Sequence, residues 1–185
     1  WPVTNRSGRP LLFVTGHLGN WELGGYVLGL LGFTTHAIAR KLDNPYLNDF
    51  LLYRFRQRTG QRILYKDGDF ERIQGVLASG GAIATLGDQD AGRRGQFVDF
   101  FGRPASTHKA VALLALEFNA PMVVIGVPRV GEPMRYQIVA EEVILPEEYA
   151  GRPDAVPAIT QRFTAALERQ AAQLEVAEER ASRSV

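Results

Sequence analysis

Apolar and polar positions alternate in blocks along this chain. Short runs rich in aliphatic and β-branched residues recur at Leu11–Thr15, Thr34–Ala39, Arg62–Tyr65, Ala82–Leu86, Met122–Val127 and Tyr136–Ile144, and read as strands. Between them, stretches with helical spacing cover Asn20–Leu31, Asn44–Arg58, Asp69–Ala78 and Thr107–Phe118. Strands alternating with helices predict a single α/β domain on a central, mostly parallel sheet flanked by helices. Ala82–Leu86 and Met122–Val127 are nearly continuous apolar runs, the pattern of strands buried on both faces. A last helix is expected after Asp154, with Pro157 in its first turn and one apolar stripe of Ile159, Phe163, Leu167 and Leu174. Beyond Leu174 the stripe gives out, and 175–185 are expected to fray. No repeat, low-complexity tract or linker divides the chain, so one domain is expected over 1–185.

Composition narrows the chemistry. The 185 residues suffice for one sizeable core, and a net charge of +1 supplies no general field for nucleic acid. Cysteine is absent, which removes thiolate nucleophiles, disulfide scaffolds and Cys-ligated metals and fits a reducing compartment. The three histidines, His17, His36 and His108, have no metal-ligand spacing, so no metal or other cofactor is predicted. Neither a Gly-x-Ser-x-Gly elbow nor a Walker loop is present. No apolar run reaches the roughly 18–20 residues of a membrane span. The chain begins at Trp1, and is expected to be a piece of a longer protein.

The most informative stretch is Gly16-His17-Leu18-Gly19-Asn20-Trp21-Glu22. It sits where the first strand ends and the first helix starts, the edge at which open α/β sheets bind ligands. An imidazole there with a carboxylate five positions on is equipped to take a proton from an alcohol. The same Glu22 also reads as a favourable charge in the first turn of a helix. Leu23, Tyr26, Val27 and Leu30 form an apolar helix face beside this pair, either a trough for an alkyl chain or plain sheet-packing core.

Other segments carry weaker signals. Residues 40–66 hold Arg40, Lys41, Arg54, Arg56, Arg58, Arg62 and Lys66 against Asp43 and Asp49. Arg54, Arg56 and Arg58 fan out around a helix, so one can turn inward as a fixed cation while the others meet water. Gly87-Asp88-Gln89-Asp90-Ala91-Gly92 follows a buried strand and reads either as ligand-binding edge or as turn. Phe97-Val98-Asp99-Phe100-Phe101-Gly102 reads as core or as an apolar wall, and Ser106 or Thr107 is expected to cap the helix that follows.

Taken together these segments resemble the bacterial lipid A late acyltransferases, a branch of the lysophospholipid acyltransferase superfamily. His17 and Glu22 match the superfamily's His-x4-acid signature in this branch's wording. The resemblance continues through Asp43-Asn44-Pro45, Arg56 and Arg58 ahead of Gly60, Asp88-Gln89-Asp90, the run from Val98 to Gly102, Thr107, and Ala120-Pro121-Met122-Val123-Val124. It spans Leu11 to Leu167. It implies a glycerol-3-phosphate acyltransferase-like fold. It also implies transfer of a fatty acyl group from an acyl carrier protein or acyl-CoA to a hydroxyl of a membrane glycolipid. Family members carry an N-terminal membrane helix and act at the cytoplasmic face of the bacterial inner membrane, so a membrane surface is an expected partner.

Under this reading His17 is the general base, Glu22 fixes its tautomer, and Arg56 (before Arg54) steadies the oxyanion. Gly19, Asn20, Trp21, Arg54, Asp88, Gln89 and Thr107 are the candidates for substrate binding. The alternatives are a phosphatidylinositol mannoside or other glycolipid or lysophospholipid acyltransferase, and a catalytically silent lipid- or carrier-binding module.

Overall fold

The computed structural model describes residues 8–39, 43–48, 50, 54, 56–65, 68–130 and 134–182. Six strands form one sheet: β1 (Leu11–Thr15), β2 (Thr35–Ala39), β3 (Arg62–Tyr65), β4 (Ala82–Leu86), β7 (Met122–Gly126) and β8 (Val139–Ile144). Their order is β3-β2-β4-β1-β7-β8, parallel throughout except for the antiparallel β7–β8 pair at one edge. The α/β architecture and mostly parallel sheet expected from the sequence are therefore present.

The faces of the sheet are covered unequally. On one, Leu12, Val14, Ile83, Met122 and Val124 pack with Ile73 and Leu77 of α3 (Phe70–Ala78), Val111 and Ala115 of α4 (Ala110–Glu117), and Ile159, Phe163 and Leu167 of α5 (Ala155–Ser182). On the other, Leu11, Phe13, Val123 and Ile125 meet Leu28 of α1 (Trp21–Leu30), with Phe33 set edge-on against Phe13 at 5.8 Å. β1 and β7 therefore bury both faces, as continuous apolar runs must. Truncating one of these fully buried strand residues costs about 2–5 kcal/mol. α1 comes close to the sheet because Gly24 lacks a side chain: a Cβ there would stand 2.7 Å from a Val127 methyl.

The long helix behaves as its stripe predicts. Ile159, Phe163 and Leu167 are fully buried, and Arg162 and Arg169 on the same helix bond to Glu142 and Glu141 of β8, tying helix to edge strand. The carboxylate of Asp154 bonds Arg152. The helix runs to Ser182, through part of the 175–185 stretch expected to fray. The Ala/Glu/Arg composition of that stretch has high helix propensity and carries the backbone on without an apolar stripe.

Two segments differ from expectation. Residues 96–107 form an antiparallel hairpin, β5 (Gln96–Phe100) with β6 (Arg103–Thr107), outside the main sheet. Ser106 and Thr107 thus lie in a strand, and α4 starts only at Ala110. Two-residue alternation was present in this segment, but Pro104 and the small residues after it hid the strand. The helix expected over 44–58 is described only at its ends, as α2 (Pro45–Leu47) capped by the Asn44 side chain and as a 3-10 turn at Arg56–Thr59. Arg40, Lys41, Asp49 and Lys66 lie outside the described residues.

Stability falls with acid through identifiable groups. Burial lowers the pKa of His36, opposed by its bond to the Ala82 carbonyl. Asp69 is lowered by the Tyr65 amide, Glu147 by the Arg9 guanidinium, and Asp154 by that of Arg152. All four folded values lie below the unfolded ones. Each contribution is therefore complete above the unfolded pKa and lost as pH falls through the folded one. The thermal midpoint, followed by circular dichroism from pH 8 to 3, should drop shallowly below about 6.5 and more steeply below about 4. A midpoint that rises between pH 5 and 3 contradicts this.

Candidate active site

β1 and β4 are parallel neighbours in register, Thr15 beside Leu86. The Gly87 amide donates to the Thr15 carbonyl at 2.7 Å, so the two chains leave the sheet together. The next residues, Gly16-His17 and Gly87-Asp88, therefore meet at the carboxyl edge of the sheet. Gly16 admits the acid: a Cβ there would stand 3.2 Å from Asp88 Oδ2. Asp88 holds His17 at two points, Oδ2 accepting from the backbone amide at 2.6 Å and Oδ1 lying 3.0 Å from Nδ1. An ionised carboxylate can only accept, so Nδ1 carries the ring proton and Nε2 keeps its lone pair. The imidazole is 46% exposed and the Asp88 side chain 17%, which leaves the ring open to solvent and its partner sheltered.

The turn from His17 into α1 is pinned to Val127, the residue after β7. Gly19 has φ +58°, and a Cβ on it would lie 2.7 Å from the Val127 carbonyl oxygen. The Asn20 amide donates to that same oxygen at 3.3 Å, and the Asn20 side chain caps the helix by accepting from Leu23 N. Gly19 and Asn20 thus set the path of the chain. Trp21 follows, with its ring edge-on to His17 at 5.4 Å.

Glu22 does not bond His17, which corrects the expected pairing. Its carboxylate is bidentate to Arg56, accepting from Nε at 2.9 Å and also from Nη2. Glu22 is the second residue of α1 and faces the 3-10 turn that carries Arg56, whereas the loop after β4 delivers Asp88 to the imidazole. The Arg56 guanidinium also lies over the Trp21 ring at 5.5 Å. His17 and Arg56 therefore both lie against one indole, which joins the two ion pairs. Of the three arginines expected to fan out, Arg56 is the inward one, while Arg54 and Arg58 are exposed.

Gln89 and Thr107 line a cavity of about 490 Å³ between the hairpin and α5, and Asp88 forms part of its wall. Of the α1 face proposed as a trough, Leu23, Tyr26 and Val27 are half-buried and Leu30 is exposed. Among the described residues no cluster of three or more His, Asp or Glu side chains could hold a metal, and no helix is long and apolar enough to cross a membrane.

The family model for bacterial lipid A biosynthesis acyltransferases matches residues 3–173. The chain belongs to that family. No curated protein sequence matches the chain. In this acyltransferase, then, the matched region includes both ion pairs, the Gly19 turn and the hairpin cavity. Sequence reasoning singled out His17, Glu22, Arg56 and Asp88 but missed which acid meets the imidazole. The signal that could have found it is the acid placed two residues past a buried strand, as His17 is two residues past its own.

The turn is testable through its glycine. Gly19→Ala combines a left-handed φ with a backbone clash, and is expected to cost about 1–3 kcal/mol or more. Urea unfolding of the variant measures this, and an unchanged midpoint contradicts the pinned turn.

Proposed function

We propose that this acyltransferase moves a fatty acyl group from an acyl carrier protein or coenzyme A thioester to a hydroxyl of a membrane glycolipid, a lipid A precursor. The observation that carries the reading is the two-point hold of Asp88 on His17 at an exposed rim. The acceptor hydroxyl gives its proton to Nε2 as its oxygen attacks the thioester carbonyl. Asp88 stabilises the imidazolium that forms. The tetrahedral intermediate collapses, the carbon–sulfur bond breaks, and the departing thiolate takes the proton from Nε2. A thiolate leaves readily, so the route needs no covalent enzyme intermediate.

Arg56 is the cation for the oxyanion. Two of its five N–H groups are engaged by Glu22, which holds the guanidinium in place, and the others remain to donate. Glu22 is thereby a positioning residue for Arg56. The surface that meets the membrane is read from Tyr46, Leu47 and Phe50, which are exposed and follow in sequence β2, whose carboxyl end lies at the same edge as that of β1. Such side chains suit the headgroup region of a bilayer. The proposed place of action is the cytoplasmic face of the bacterial inner membrane.

Purified variants assayed for acyl transfer test the assignment. His17→Ala should lower turnover about 10²–10⁴-fold, and Asp88→Asn should lower it in the same direction with the fold intact. Arg56→Ala should lower turnover about 10²–10³-fold with little change in KM, and Glu22→Gln should follow it more weakly. Near wild-type turnover in a folded His17→Ala protein overturns the proposal. A pure KM defect in Arg56→Ala would move that residue from the oxyanion to recognition of the donor.

A further inference from the structure

A second cavity, of about 360 Å³, lies between the β2–β3 edge of the sheet and α3. His36 is the second residue of β2 and Arg62 the first of β3, and they pair in register, so their side chains stand together on one face. Both lie at the amino end of the parallel strands, away from the carboxyl rim that carries His17. Arg72, Gly75 and Val76 of α3 recur at helical spacing and form the facing wall, and Leu64 adds an apolar surface.

Two features mark this cavity as more than a packing gap. Gly75 sits in the interior of α3, where glycine is less favourable than alanine, yet a Cβ there would meet nothing within 4 Å. Neither a close approach nor a left-handed φ calls for glycine at this position, and its effect is to keep the cavity open. The second feature is uncompensated positive charge. Among the described residues no carboxylate pairs with Arg62, while Arg72 gives Nη1 to Asp69 at 3.0 Å. Between the two arginines stands an imidazole. His36 Nδ1 lies 3.3 Å from the Ala82 carbonyl, an oxygen that can only accept, so Nδ1 carries the ring proton. Burial lowers the pKa of His36, the Ala82 bond opposes this, and the charges of Arg62 and Arg72 lower it further. An anion placed among these three groups would reverse the last effect and draw a proton to Nε2.

We propose that the cavity between the β2–β3 edge and α3 is a binding site for a phosphomonoester, separate from the acyl-transfer site. The phosphoryl group sits among Arg62, Arg72 and His36, and the organic part of the ligand lies on Leu64 and Val76 over the space that Gly75 leaves. Guanidinium groups match phosphate oxygens with paired N–H donors, and an imidazolium adds a third charge-assisted bond. The volume falls within the range that small ligands occupy, about 300–1,000 Å³, and exceeds what a bare phosphate needs. The same chemistry is offered by a soluble phosphate ester and by a lipid headgroup.

The test follows the His36 ring by NMR, its resonances assigned by their loss in His36→Asn. Phenyl phosphate and inorganic phosphate are titrated into the protein at matched ionic strength, with chloride as the control. Phenyl phosphate should shift the His36 resonances saturably, raise the pKa of the ring and bind more tightly than inorganic phosphate. Arg62→Gln should weaken binding about tenfold or more. Gly75→Leu should abolish it while raising the thermal midpoint, since it fills the cavity and removes a helical glycine. Sedimentation with vesicles containing phosphatidic acid, against vesicles of phosphatidylcholine alone, separates the two sources: binding that Arg62→Gln abolishes assigns the site to a lipid headgroup, and phenyl phosphate binding without it assigns the site to a soluble ester. If neither probe engages the wild-type protein, or if a folded Gly75→Leu protein binds as the wild type does, the proposal is wrong. Equal affinity for inorganic and phenyl phosphate overturns the role given to Leu64 and Val76.

Discussion

The adjacency of β1 and β4 is the constraint on which the site depends. Those strands lie 71 positions apart at the atoms that matter, His17 and Asp88, and only their parallel register brings the two loops to one point. The hydrogen bond from Gly87 to Thr15 extends that register one residue past the strands, and the missing side chain of Gly16 lets the acid close on the imidazole. A slip of one residue would reverse every side chain of β4 and remove Asp88 from reach. The buried strands therefore act on the site directly: the packing of Leu12, Val14 and Ile83 fixes the register, and the register sets where His17 and Asp88 meet.

The second ion pair follows a different logic. Glu22 and Arg56 are half-sheltered, and their bidentate geometry offsets the desolvation of two charges better than a single contact could. Trp21 links the pairs through its ring, edge-on to His17 and beneath Arg56. Its position is set in turn by the Gly19 turn and the Asn20 cap. The Gly-Asn-Trp-Glu wording thus encodes four successive tasks: bending the chain, capping the helix, stacking, and holding a cation.

Much of the fold was legible because its strands are apolar runs punctuated by helical spacing. Ala82–Leu86 needed no adjustment, since Ala82 and Ile83 are buried on opposite faces and only Thr85 breaks the apolar run. The hairpin was not legible. Its exposed Phe97 and Phe101 imitate core, and Ser106 and Thr107 imitate a helix cap. The partner of Glu22 differs from the expected one for a related reason. Spacing of five within one segment suggests proximity to His17, but the direction of a helical side chain depends on what the helix packs against, and here the 3-10 turn claims it. Asp88 could be placed at the ligand-binding edge from sequence, but not opposite His17, because strand order is a property of the whole sheet.

The unequal cover of the sheet bears on how such a site can work. One face carries three helices, and α5 is fastened to β8 by Arg162 and Arg169, so the floor beneath the His17 rim is stiff. The hairpin packs Phe100 against that same cluster, and its polar bonds to α5 are exposed to water. Bonds of that kind exchange readily with solvent, whereas the buried strand contacts do not. The sheet beneath the His17 rim is thus fixed by buried contacts, while the hairpin beside it is joined in part by bonds that water can replace.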